Sequence, residues 1–224
     1  MLHAFLLAQS IWIEDAVNFN FANALSAVTW LTALLLWIGR LVQPLVSITA
    51  LLLPVAALCA LLPLWDAHPH WLRYIDQPWA ALHIAVALIA FSVFIVAALQ
   101  ALLLMSVERR LHAGHALPFD DTLPPLLTLE RFLFRLIAVA FVLLTLAVAS
   151  GAFFSEELFR QPFRFTYKVV FSLLAWGVFA GLLYGRRRYG WRGKVALRWI
   201  LAGSVMLLIA YVGSKFVLEV LLGR

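Results

Sequence analysis

The sequence predicts an all-α, polytopic transmembrane helical bundle of about six spans, and three observations predict it. The 224-residue chain is 65% hydrophobic and only 12% charged, with a mean hydropathy of +0.98, whereas a soluble domain is roughly 25% charged. Its apolar residues fall in continuous runs, several near the ~20 residues that cross a bilayer core as a helix. Those runs do not alternate polar and apolar over ~10 residues, as the strands of a membrane barrel would.

Residues 1–13, MLHAFLLAQSIWI, are apolar but too short to span. They lack the basic start and small-residue cleavage site of a signal peptide, and are expected to be the end of a helix or a re-entrant or surface piece. After a polar loop at Glu14, Asp15, Asn18 and Asn20, spans are expected at 21–38 and 44–64, the second with Pro54 inside. An interior proline kinks a membrane helix but is tolerated there. The loop that follows carries Trp65, Trp71, Tyr74 and Trp79, an aromatic set suited to the membrane–water boundary. The third span, 79–105, is the longest uncharged stretch, opened by Pro78 and Trp79 and broken in polarity only by His83, Ser92 and Gln100. Pro78 suits a first turn because its missing N–H is not needed there. The remaining spans are expected at 127–154, 168–185 and 198–218. Small residues at fourth positions, Ala147 and Gly151, then Gly177, Gly181 and Gly185, favour close helix packing. The whole chain reads as one membrane domain.

Net charge is +6, and its distribution argues for orientation rather than nucleic-acid binding. Of the 17 Lys and Arg, 11 collect on one side: Arg40, Arg109, Arg110, Arg131, Arg135, Arg186, Arg187, Arg188, Arg192, Lys194 and Arg198. Cytoplasmic loops carry such an excess, so 106–130 and 186–198 are expected to be cytoplasmic and His83 near the external face. The single cysteine, Cys59, excludes an internal disulfide and any CxxC site.

His83 leads the candidate functional residues. It lies four residues inside Trp79, about 6 Å along the helix, and an ionisable group inside the membrane is a functional candidate. Neutral imidazole can ligate heme iron or another metal through one nitrogen; the alternative is a packed histidine hydrogen-bonded to a neighbouring helix. Lys168, Ser172 and Trp176 share one face of their span. Ser204, Tyr211 and Lys215 fall within about 40° of each other at 100° per residue. His83, Trp79, Lys168, Trp176, Tyr211 and Lys215 would together suit an anionic, flat, apolar ligand; otherwise the lysines reach lipid headgroups. His68 and His70, and His112 and His115, are weaker metal candidates. There is no phosphate loop, no nucleophile triad in motif context and no zinc-protease signature, so an enzyme is not expected. No acidic residue lies deep in a span, which argues against an ion-coupled carrier.

The segments PWAALHIAVALIAFSVF, TLPPLLTLERFLFRL, KVVFSLLAWGVFAGLLYG and YGWRGKVALRWILAGSVMLLIAYVGSKFV resemble the cytochrome c assembly family, in its HemX- or YpjD-like inner-membrane branch related to CcsA. The likeness covers roughly residues 20–220, and the GWRG loop is its most specific part. It implies an eight-span parent architecture, so an N-terminal truncation is an expectation. It also implies a multi-pass protein of the bacterial inner (plasma) membrane, associated with heme and with cytochrome c maturation components. By position, His83 matches an external heme-ligating histidine of the CcsA-type proteins. The tryptophan-rich heme-handling motif of those proteins is not reproduced by Trp65, Asp66, Trp71 and Trp79, and the 155–167 loop holds no second histidine. The expected function is therefore a heme-binding or accessory protein in cytochrome c or heme biogenesis, with a sixth iron ligand, if any, from Lys168 or Lys215. A non-heme subunit that scaffolds another membrane complex is the alternative, and a small-molecule transporter the third reading.

Overall fold

A computed structural model of the protein describes residues 2–13, 16–40, 46–64, 78–112, 125–159 and 167–213. Seven α-helices account for most of them: α1 (Leu2–Ile11), α2 (Phe21–Gly39), α3 (Val46–Leu61), α4 (Pro78–His112), α5 (Leu126–Phe159), α6 (Tyr167–Tyr189) and α7 (Gly193–Leu208). A two-rung antiparallel hairpin, β1 (Trp12–Ile13) with β2 (Ala16–Val17), joins α1 to α2. A 3-10 turn follows α3 at Leu62–Leu64, and a π-helical turn at Ile209–Gly213 extends α7. Five helices are long and apolar enough to cross a membrane: Phe21–Gly39, Pro78–His112, Leu126–Phe153, Tyr167–Tyr189 and Gly193–Gly213.

Helix α4 is the hub, in contact with α2, α3, α5 and α7, while α6 packs on α5 and α7. Its inward positions include small and aromatic side chains, so neighbours approach closely at alanines and interlock at rings. Ala90, Ala97 and Ala101 are buried, and Phe94 stacks on Phe179 of α6 at 4.2 Å between ring centroids. The core continues through Leu133, Ile137 and Ala140 of α5 and Leu197 and Ile200 of α7.

Helices α2 and α4 run parallel. Ser92 of α4 reaches the Val28 carbonyl, and further along both helices Leu36 and Val96 share a cluster with Leu52 of α3. The chain between two parallel neighbours has to return across the bundle, and α3 is the segment that does so. Its 16 residues rise about 24 Å and the 3-10 turn adds about 6 Å, together close to the ~30 Å hydrocarbon thickness.

The basic residues expected in loops lie inside helices. α4 carries Arg109, Arg110 and His112 in its last turn, and α6 carries Arg186–Arg188 in its own. Hydropathy marks where a helix leaves lipid, not where it ends. With 35 residues α4 is about 52 Å long, so it projects beyond the membrane, and cations at its C-terminus complement the helix dipole. The 186–198 segment is therefore mostly helix, and only Gly190–Arg192 turn between α6 and α7.

Candidate functional site at the start of helix α4

His83 sits in the second turn of α4, where α4 packs antiparallel against the far end of α5. Its Nδ1 lies 2.7 Å from Ser150 Oγ, and the Ser150 hydroxyl also donates to the Ala147 carbonyl at 3.1 Å. The imidazole packs against Gly151: a Cβ there would stand 3.3 Å from His83 Cε1. The small pair Ser150–Gly151 thus forms the seat for the ring, one member as polar partner and the other as clearance. Ala147 and Gly151, read from sequence as a helix–helix packing pair, serve in part as this imidazole seat. Among the described residues His83 hydrogen-bonds through Nδ1 and not through Nε2.

Two large exposed aromatic side chains stand about one turn away on the two helices that hold the histidine. Trp79, one turn earlier on α4, is 60% exposed, and Phe153, three residues past Ser150 on α5, is 79% exposed. Both lie near the helix ends, where aromatic side chains settle at the membrane interface.

Two of the other candidates are held by different neighbours. Trp176 of α6 donates its Nε1–H to Thr145 Oγ1 at 3.0 Å and stacks on Phe141, so it is tied to α5. Tyr211 lies in the π-helical turn with its ring 5.0 Å from that of Phe91, eight residues deeper along α4 than His83. That turn interrupts the 100° spacing that aligned Ser204, Tyr211 and Lys215. Tyr211 lines a narrow apolar crevice with Phe21, Ala24, Leu25, Val28, Phe91 and Val212. Lys168 is exposed at the start of α6. Lys215 lies outside the described residues, as do His68, His70, His115, Trp65, Asp66 and Trp71. His112 hydrogen-bonds the Glu108 carbonyl of its own helix at 2.8 Å. Among the described residues no three His, Cys, Asp or Glu side chains group as a metal site.

At the opposite end of the bundle lies a locus the sequence reading missed. Arg186, grouped there with the topology-setting arginines, turns inward. Its Nη1 lies 2.8 Å from Glu130 Oε1 of α5, donates to the Trp191 carbonyl at 2.9 Å, and its guanidinium covers the Phe134 ring at 4.2 Å. Trp191 folds back onto α6 over Gly185, where a Cβ would stand 2.4 Å from the indole, and leans on Trp199. Gly190 and Gly193 on either side have φ of +67° and +53°, which glycine adopts freely. The GWRG segment is thus a tight turn that pins α6, α7 and, through Arg186, α5. The visible signal was a glycine on each side of a tryptophan, with a lone glutamate at the start of the preceding span.

A family model described as Cytochrome C assembly protein matches residues 1–222. The chain is 35% identical over 175 residues to the Escherichia coli inner membrane protein YpjD, covering 76% of this chain and 65% of that protein, just under two thirds of its length. It is 33% identical over 145 residues to an uncharacterized 28.8 kDa protein of Azospirillum brasilense, covering 65% and 54%. It is 26% identical over 153 residues to the cytochrome c biogenesis protein CcsA of Guillardia theta, covering 62% and 51%. No solved structure matches the chain.

Proposed function

The chain belongs to the cytochrome c assembly protein family, and on that premise we propose that it is a non-catalytic heme-binding or accessory protein of cytochrome c biogenesis, with His83 as the heme-iron ligand. Its proposed place is the bacterial inner membrane, with 106–130 and 186–198 on the cytoplasmic side and His83 toward the exterior. The name of the Escherichia coli relative supports that location, and the name of the Guillardia theta relative supports the process. Heme and cytochrome c maturation components are its proposed partners.

One observation carries the heme reading. His83 is fixed through Nδ1 by Ser150, which leaves Nε2 as the nitrogen without a hydrogen-bond partner among the described residues. Metal-ligating histidines ordinarily anchor one ring nitrogen and offer the other. The residues present would suit heme: an imidazole anchored through one nitrogen to hold it, with the large exposed side chains of Trp79 and Phe153 one turn away on the same two helices. When bound, heme would supply an iron centre whose potential answers to that ligand and its surroundings. What the chain itself does is hold, orient and partly shield. Ser150 and Gly151 seat the imidazole, and packing between α4 and α5 leaves the ring half-buried.

The test is the visible spectrum of detergent-purified protein before and after adding hemin, for wild type and His83→Ala. A Soret band in wild type that is lost or shifted in the variant is the expected result. A colourless wild type that takes up no hemin overturns the reading and favours a scaffold subunit in which His83 is purely a packing residue.

A further inference from the structure

The hydrogen-bond inventory around His83 specifies more than its position. Three polar groups meet there: the Ser150 hydroxyl, the Ala147 carbonyl and His83 Nδ1, at 3.1 Å and 2.7 Å from Ser150 Oγ. A hydroxyl has one hydrogen to give and lone pairs to receive. With that hydrogen directed to Ala147, Ser150 Oγ accepts, and the group that donates to it is Nδ1–H. A neutral imidazole carries one N–H, so Nε2 is then a bare lone pair.

The other tautomer is worse for a countable reason. If Ser150 donated to Nδ1, the N–H would sit on Nε2, a donor without a partner among the described residues. The Nδ1–H form satisfies both donors and leaves only an acceptor open. A half-buried donor left unmade is the more expensive defect in a low-dielectric setting.

We propose that Ser150 is a positioning residue that holds His83 as the Nδ1–H tautomer and so presents an unprotonated Nε2 as the metal-binding nitrogen. The inference rests on the heme reading for its purpose, but the tautomer exists without heme. Gly151 completes the device, because its missing side chain lets the imidazole lie close enough to α5 for the 2.7 Å contact.

The experiment uses histidine-selective 15N labelling of the full chain in detergent, without heme. His83 resonances among the six histidines are assigned by their loss in His83→Gln. Wild type is expected to show an unprotonated Nε2 and a protonated Nδ1. Ser150→Ala is expected to lose that signature to a mixture of tautomers, and Ser150→Thr, which keeps the hydroxyl, to retain it. In a hemin titration Ser150→Ala should then bind roughly 10- to 100-fold more weakly, the usual effect of removing an outer-shell partner, and Ser150→Thr should stay near wild type. A protonated Nε2 in wild type, or a tautomer indifferent to Ser150→Ala, overturns the proposal whatever heme does. Hemin uptake unchanged in His83→Ala overturns the ligand assignment and leaves the tautomer result standing, so the two failures are told apart.

Discussion

At the scale of single residues, the glycines decide how tightly side chains from neighbouring helices can seat, and they do so unequally. Gly203 of α7 faces the Phe179 ring, where a Cβ would stand 2.7 Å away, and Phe179 is itself fully buried and stacked on Phe94. Nothing there can yield, so Gly203→Ala is expected to cost about 1–3 kcal/mol by overpacking, read as a lower thermal-unfolding midpoint in detergent. Gly151 is the milder case. Its Cβ would lie 3.3 Å from the edge of His83, so Gly151→Ala should fold normally, while Gly151→Leu should lift the imidazole from Ser150 and weaken hemin binding along with it. A Gly151→Leu protein that binds hemin as wild type does would mean that the α5 seat does not position the ligand. His83 was legible in the sequence because a charge-capable side chain stands out in a span otherwise nearly free of polarity. Ser150 was not legible, because serine is unremarkable in a membrane helix. Its role depends on α4 and α5 lying antiparallel with positions 83 and 150 level, which is a fact of helix pairing and not of local composition.

At the scale of elements, the join between α6 and α7 is fastened by backbone, rings and one ion pair, and each can be tested apart. Gly190 has φ of +67° with open space where a Cβ would go, so Gly190→Ala isolates backbone strain and should cost about 1–2 kcal/mol. Glu130 and Arg186 are partly buried, with side chains 14% and 19% exposed. Removing either charge alone is expected to cost about 1–3 kcal/mol, because the remaining one loses its partner. In a Glu130→Gln/Arg186→Gln double-mutant cycle on thermal unfolding, the double variant should be less destabilised than the sum of the singles by about 0.5–3 kcal/mol. Exchanging the two charges should not restore stability, since Arg186 also donates to the Trp191 carbonyl and a glutamate cannot. Additive singles would show the pair to be a surface contact of no consequence. The existence of these helices was plain from run length and hydropathy. Their ends were not, because α4 and α6 continue as helix past the apolar stretch into basic turns. The inward course of Arg186 was hidden for the same reason: three consecutive arginines on a helix point in three directions, and only the pairing with α5 selects one.

At the scale of the whole molecule, the outcome turns on α3. Its apolar helix has 16 residues with Pro54 inside, as few as α7 but without the π-helical extension that lengthens α7, and length alone would allow a segment that enters and leaves on one side. The packing says otherwise. Val28 meets Ser92 and Leu36 meets Val96, so α2 and α4 advance in the same direction. A chain that leaves α2 at one end of the bundle has to begin α4 at the other. If α3 were re-entrant, Arg40 and Trp79 would lie on the same side, and the α2–α4 contacts would require one helix to be reversed. The prediction is therefore that residues 40 and 79 lie on opposite faces of the membrane. Single cysteines at Arg40 and Trp79, in a Cys59→Ala background that removes the one native thiol, report it through a membrane-impermeant maleimide. In sealed right-side-out vesicles Trp79→Cys should label at once and Arg40→Cys only after permeabilisation, with inverted vesicles giving the converse. The same result fixes the side on which His83 is presented, because it stands one helical turn from Trp79. Labelling of both positions from one side would break the parallel pairing of α2 and α4. External labelling of Arg40 alone would turn the bundle over and place the imidazole toward the cytoplasm, where a ligand for heme would serve cytoplasmic delivery rather than external assembly.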